Sequence, residues 1–509
     1  MSYIPYLCIV LFLLSPLMGL GVLSFSENSE IFSFLVQNVL LDTILNSVFI
    51  VFIVLVGTFI IGAGCAWAIT RYNFWGQRIL QWGLIVPLAF PAYITAYAYT
   101  DMLDFIVPHI RSPLGAAVIM TLCLYPYVFI FARNGFMKQA QNQIEAASLM
   151  GASQWDQFTK IALPAARPSI FVGLSLVVME TLADYGTVSY FGVRVFSTVI
   201  YDAWAGYGDI HAAARLSLIL LSFMMIVLFL ERHSRGQMKF FNIKGSGSQL
   251  VSQKKLKGWK SILLFMICTI PVIAGFIIPM GILIQLSAQD IIKSPDKLEF
   301  FASSLPYIKN TLILAVTAGV FGIMIAFGLA IIKRDTNRPV IAHLYQVAGF
   351  GYALPGVILG LGLLIISGFI QNHLGLLLSG SFIFLIVGYI IRFLTIPLQG
   401  LDAAFEKISP NLDQAARLLR KNKLSEFWHV RVVLLRPALL SALLLLMVDV
   451  IKELPLTIIL RPFNFDTLAV HVYHLASDER LVQAAFPSLL IAISGLIPVL
   501  ILSRFMRSN

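Results

Sequence analysis

The sequence predicts an all-α polytopic membrane protein with about 12 transmembrane helices, set as two parallel pseudo-twofold six-helix halves. Three observations carry that expectation. Of 509 residues, 59% are hydrophobic and only 12% charged, more apolar surface than a soluble globule can bury. The apolar residues gather into twelve runs long enough to cross a bilayer. Landmarks in the first six runs return in the last six.

The first run, about 3–23, has neither a basic leader nor an Ala-x-Ala cleavage site, and reads as a retained helix. Runs follow at about 45–69, 80–99, 114–131, 169–188 and 213–229, completing a first half over 1–232. From Glu231 to Lys260 the apolar pattern stops, and basic residues flank a Gly-Ser-Gly-Ser stretch at 245–248. Residues 233–260 therefore read as a flexible, basic cytoplasmic linker. No Gly-Lys-Ser/Thr follows the glycines, so a phosphate-cradling loop is excluded there. Runs at about 261–286, 311–332, 341–370, 376–397, 438–456 and 486–502 form a second half over 261–509.

The halves correspond in detail. Asn46-Ser47 returns as Asn310-Thr311 at an offset of 264, and the same offset takes Pro91 to Pro355 and Tyr125 to Tyr389. Six spans is an even number, so both halves share one orientation and any path across the membrane lies between them. Pro91 and Pro355, the latter followed by Gly356 and Gly360, mark helices that can bend or approach closely.

A polar segment between two runs, 145–168, reads EAASLMGASQWDQFTKIALPAARP. Ala146, Ala147 and Ser148 add little bulk, and Gly151 permits the positive φ of a helix C-terminus. Pro164 and Pro168 then punctuate the chain before the next run. A copy stands 269 residues later over 414–437: Gln414, Ala415 and Ala416 repeat Glu145, Ala146 and Ala147, and Arg436-Pro437 repeats Arg167-Pro168. The copy is degraded, with Arg420 in the place of Gly151. This spacing resembles the EAA coupling loop of ABC-importer permeases, the membrane subunits of binding-protein-dependent uptake systems. The resemblance implies that Glu145, Ala146, Ala147 and Gly151 seat one copy of a separate ATPase subunit. Gln414, Ala415, Ala416 and Arg420 would seat another. ATP then belongs to the partner; no Walker-type loop, cofactor or catalytic residue is expected in this chain.

The fifth run of each half carries acids. METLADYGTV holds Glu180 and Asp184; VDVIKELPLT holds Asp449 and Glu453, at the same 269 offset. A spacing of four puts each pair on one helix face, past mid-bilayer, where carboxylates are costly and usually meet a protein interior or an aqueous path. With Tyr185 beside them, these oxygens suit a hard cation passing between the halves, without a stable metal site. The alternative is that Lys452 pairs with one acid while the others cap neighbouring helices. His471 and His474 stand three apart and could ligate a metal in the outer segment, though a lone His-x-x-His is more often a helix-face pair.

Beyond the acids, the segments LADYGTVSYFGVRVFSTVIYDAW and KELPLTIILRPFNFDTLAVHVYHLASDE resemble fused two-half permeases of ferric-iron uptake systems. That resemblance implies iron(III) as cargo, an address in the cytoplasmic (inner) membrane, and a periplasmic or lipid-anchored substrate-binding protein. Other cargoes open to the same architecture are thiamine, a polyamine, a phosphonate or sulfate. A proton-coupled secondary transporter would leave the two loops unexplained.

The net charge of +11 fits orientation rather than nucleic-acid binding. With both loops cytoplasmic, about 27 of the 36 Lys and Arg face the cytosol, which puts both termini there as well. Cys8, Cys65, Cys123 and Cys268 fall inside apolar runs without paired spacing, so neither a disulfide framework nor a zinc cluster is implied.

Overall fold

The computed structural model describes residues 3–26, 28–103, 110–137, 147–236, 253–294, 297–336, 339–406 and 432–507. The first half runs α1 (Tyr3–Ser24), α2 (Glu30–Asn38), α3 (Leu40–Arg71), α4 (Gln77–Gly83), α5 (Ala92–Leu103), α6 (Pro113–Met137) and α7 (Gln154–Ala183). It closes with the short α8 (Gly186–Tyr190) and α9 (Phe196–Tyr201) and the long α10 (Ile210–Gly236). The second half runs α11 (Trp259–Lys293), α12 (Lys297–Thr336), α13 (Pro339–Ala348), α14 (Gly356–Leu374), α15 (Phe382–Phe393), α16 (Thr395–Glu406) and α17 (Val432–Ile451). It ends on α18 (Pro455–Leu460), α19 (Leu468–Ser477) and α20 (Leu481–Arg507).

The chain is an all-α polytopic membrane protein. Among the described residues, 8 helices are long and apolar enough to cross a membrane, or up to 10 if each of two bent pairs is one span. Two shorter apolar helices, Ile9–Ser24 and Leu481–Ile497, lie where the first and last apolar runs of the sequence fall.

Residue order explains the elements. In α3 the buried residues Thr43, Ser47, Ile50, Val54 and Thr58 recur every three or four positions, one stripe of a 3.6-residue period. Leu41, Leu45, Phe52 and Ile60 stand exposed on the remaining surface, where lipid replaces water. Phe90, before Pro91, is held extended at φ −91°, ψ 124°, and the helices on either side meet at 92°. Leu354, before Pro355, is likewise extended at φ −82°, ψ 100°. Both prolines thus break a helix at equivalent places.

The repeat also shows in hydrogen bonds. Asn46 Nδ2 donates to Arg194 O at 3.1 Å, and Asn310 Nδ2 donates to Asp466 O at 3.1 Å. Ser47 Oγ accepts from Phe196 N, as Thr311 Oγ1 accepts from Leu468 N. In each half the same pair of polar side chains therefore pins the segment leading into a short helix.

Three expectations need correction. Pro164 and Pro168 do not separate the loop from the next span: α7 runs through both, and a π-type turn at Gln157–Ala162 absorbs the lost backbone donor. The fifth spans do not run to 188 and 456: α7 stops at Ala183 and α17 at Ile451, each followed by a break. The linker is not free over its whole length. Its first residues extend α10 to Gly236, and Lys254–Lys255 pairs in parallel with Tyr72–Asn73, with Gln253 Nε2 donating to Ile69 O at 3.2 Å.

Two apolar cores form, and neither coincides with a half of the chain. One gathers α3 to α6 together with α11, α19 and α20 from the second half. The other gathers α12 to α18 together with α1, α9 and α10 from the first. The exchange depends on close approach: a Cβ on Gly495 of α20 would stand 2.2 Å from Ala89 O, at the bend before Pro91. Gly495→Leu is expected to abolish the monodisperse size-exclusion peak of the detergent-solubilised chain; an unchanged peak would mean this seam tolerates separation.

A charged cavity where the two cores meet

The four acids converge on one cavity, reached by different routes. Glu180 lies within α7, but Asp184 sits just past its end, in extended backbone at φ −65°, ψ 134°. The pair is therefore not on one helix face as the spacing of four suggested. Asp184 instead caps α8: Oδ2 accepts from Thr187 N at 3.1 Å and Val188 N at 3.3 Å, and Oδ1 from Thr187 Oγ1 at 3.0 Å. Glu453 repeats the arrangement, with Oε1 accepting from Leu456 N at 3.1 Å at the start of α18. Each acid satisfies backbone donors that a helix start leaves open, and Pro455 begins the second short helix where its missing N–H costs nothing.

The other two acids have side-chain partners. Glu180 Oε1 accepts from Tyr352 OH at 2.9 Å. Asp449 Oδ1 lies 2.7 Å from Lys452 Nζ, one helical turn away. Arg392 enters from α15: its Nε is 3.5 Å from Glu453 Oε1, while Nη1 donates to Leu354 O at 2.9 Å, tying the cavity to the bend before Pro355. Tyr185 lines the same space, with its hydroxyl 3.2 Å from that of Tyr473.

The cavity measures about 150 Å³ and is bounded by all four acids, Lys452, Arg392 and the Pro91 bend. It holds two more carboxylates than cations. Glu453 Oε2 and Tyr93 OH, both on cavity-lining residues and both buried, have no hydrogen-bond partner among the described residues. Such groups are costly unless something binds them. Arg392 and Tyr352 escaped the sequence reading. Its signal was available, an arginine inside an otherwise apolar run, but nothing in the linear order ties that run to Glu453.

Away from the cavity, residues 147–149 are helical and Gly151 closes the turn after them at φ +81°, with Ala152 N donating to Ala147 O at 2.9 Å and Gly151 N to Ser148 O at 3.1 Å. Leu149 and Met150 beside it are 90% and 87% exposed. Tyr72 OH donates to Gln154 Oε1 at 2.9 Å and Arg71 to Gln157 Oε1 at 3.3 Å, fixing this segment to the end of α3. Glu145, Ala146, Gln414, Ala415, Ala416 and Arg420 lie outside the described residues.

His471 stacks on Tyr307 at a ring separation of 3.7 Å, and burial pushes it down to about 4, so it is neutral at pH 7. Among the described residues no group of three or more His, Cys, Asp or Glu is placed to hold a metal ion.

Residues 59–234 match the family described as binding-protein-dependent transport system inner membrane component. That match places a domain of the ABC-permease class in the first half of the chain. It is 23% identical over 463 residues to the Fe(3+)-transport system permease protein FbpB 2 of Haemophilus influenzae, covering 90% of this chain and 89% of the relative. Against the ferric transport system permease protein FbpB of Actinobacillus pleuropneumoniae it is 23% identical, covering 74% of this chain and 56% of the relative. The sulfate transport system permease protein CysT of Escherichia coli is 24% identical over 33% of this chain and 67% of its own length. These names describe permease subunits, not enzymes.

Proposed function

We propose that this permease moves a small, strongly charged cation, iron(III), across the cytoplasmic membrane by alternating access between its halves. The observation that carries the reading is the cavity: carboxylates outnumber cations, and of three buried polar atoms there without a hydrogen-bond partner among the described residues, Tyr93 OH, Glu453 Oε2 and Arg392 Nε, one is a carboxylate oxygen. Its volume of about 150 Å³ suits an ion with part of its hydration shell. Thiamine and similar organic cargoes need the roughly 300–1,000 Å³ of pockets that take drug-sized ligands. Sulfate is the second reading, favoured by the CysT likeness and by Lys452 and Arg392 in the cavity. Both cations already face carboxylates, and the residual negative charge repels an anion. Uptake of radiolabelled iron(III) and sulfate, in cells with and without this chain, separates the readings. Iron uptake that does not depend on the chain rejects the first.

The motor is external. Two copies of an ATPase subunit dock on the segments around 145–168 and 414–437, and a substrate-binding protein delivers cargo on the opposite side, which gives both termini a cytosolic address. Support comes from the exposed Leu149 and Met150 around a glycine-closed turn, an apolar projection with no packing role of its own. Glu145 can pair with a basic residue of the ATPase, and Gln414 cannot. Charge reversal with Glu145→Lys is therefore expected to lower transport-linked ATP hydrolysis several-fold more than Gln414→Lys. Equal losses would remove the asymmetry.

A further inference from the structure

The two halves equip the cavity unequally. At the 269 offset Lys452 corresponds to Ala183, and at the 264 offset Arg392 corresponds to Val128, so both cations come from the second half alone. Asp449 and Glu453 are each matched by a cation, whereas Glu180 accepts from a hydroxyl and Asp184 from hydroxyl and backbone donors. Arg392 is held by Nη1 donating to Leu354 O, with its Nε 3.5 Å from Glu453 Oε1. Lys452 differs: it is a flexible side chain, about a third exposed, with its ammonium 2.7 Å from Asp449.

We infer that Lys452 is a tethered counterion of the translocation cavity, which holds Asp449 when cargo is absent and which an entering cation must displace. Displacement breaks the Lys452–Asp449 pair, and only an ion of higher charge than the ammonium it replaces recovers that loss from the same oxygens. A sodium or potassium ion gains nothing by the exchange. Lys452 thus sets selectivity by excluding monovalent ions, and by returning to Asp449 it helps the cargo leave, since a conduit must release what it binds. Glu180, whose Oε1 accepts from Tyr352 OH, supplies the second carboxylate the ion meets. Glu453 Oε2, buried and unpartnered, is a further oxygen at the same cavity.

This inference rests on the cation reading above, and the experiment separates the two. Terbium(III) serves as the trivalent probe, titrated by tyrosine-sensitised luminescence into the full chain in lipid nanodiscs. Lys452→Met is expected to bind terbium at least tenfold more tightly than wild type and to let sodium compete with it, while Glu180→Gln in either background abolishes the signal. Lys452→Arg, which keeps the charge, should match wild type within threefold. Should Lys452→Met fail to fold, Lys452→Gln, whose amide still reaches Asp449, is expected to tighten binding at least threefold. Equal affinity in wild type and the neutral variants, with the signal still lost in Glu180→Gln, overturns the counterion role and leaves the cation reading standing. A signal indifferent to Glu180 overturns both.

Discussion

Glu180→Gln is expected to lower iron(III) uptake at least tenfold without loss of the folded permease. The glutamine oxygen can still accept from Tyr352 OH, now at 2.9 Å from Glu180 Oε1, so the substitution removes the charge and keeps the contact. A cation passing the cavity then loses a carboxylate whose described contact is a tyrosine hydroxyl. Asp449→Asn is expected to impair uptake as well, because it releases Lys452, now 2.7 Å away, to repel cargo. The measurement is the initial rate of radiolabelled iron accumulation, normalised to permease in the membrane. Wild-type rates in both single variants and in the double variant would reject these acids as part of the path.

The second large effect is on stability. Arg392→Met leaves the Glu453 side chain, only 2% exposed, without its cation. Breaking one partner from a buried pair typically costs about 3–5 kcal/mol, since the remaining charge stays desolvated. The variant should unfold at markedly lower temperature in detergent. Glu453→Gln in the same chain should recover most of the loss, because the amide oxygen can still accept from Leu456 N while no charge remains. Equal unfolding temperatures for wild type and Arg392→Met would show that the pair contributes nothing net.

Much of this was legible in the sequence. Pro91 and Pro355 marked the two bends because the residue before a proline is forced out of helical geometry, whatever surrounds it. Gly151 marked a positive φ for an equally local reason. The acids were found by the cost of charge in an apolar run, and the repeat paired them correctly. What the order of residues concealed was long-range. Asp184 and Glu453 read as helical neighbours of Glu180 and Asp449, because nothing in a spacing of four says that the helix stops between them. Their capping role emerges only once α8 and α18 begin beyond the breaks. Arg392 stands 61 residues from Glu453 in sequence, and only the packing of α15 against α17 and α18 joins them. That Lys452 pairs with one of the acids stood only as the alternative reading, and the structure makes the partner Asp449, one helical turn away.

The exchange of end helices has a consequence for biogenesis. When the ribosome has finished the first half, α1, α9 and α10 belong to a core that still lacks α12 to α18. The first core is equally unfinished, awaiting α11, α19 and α20. Neither half can mature alone, so a nick within the linker would yield two products that survive only when synthesised together, each completing the other before quality-control proteases reach it.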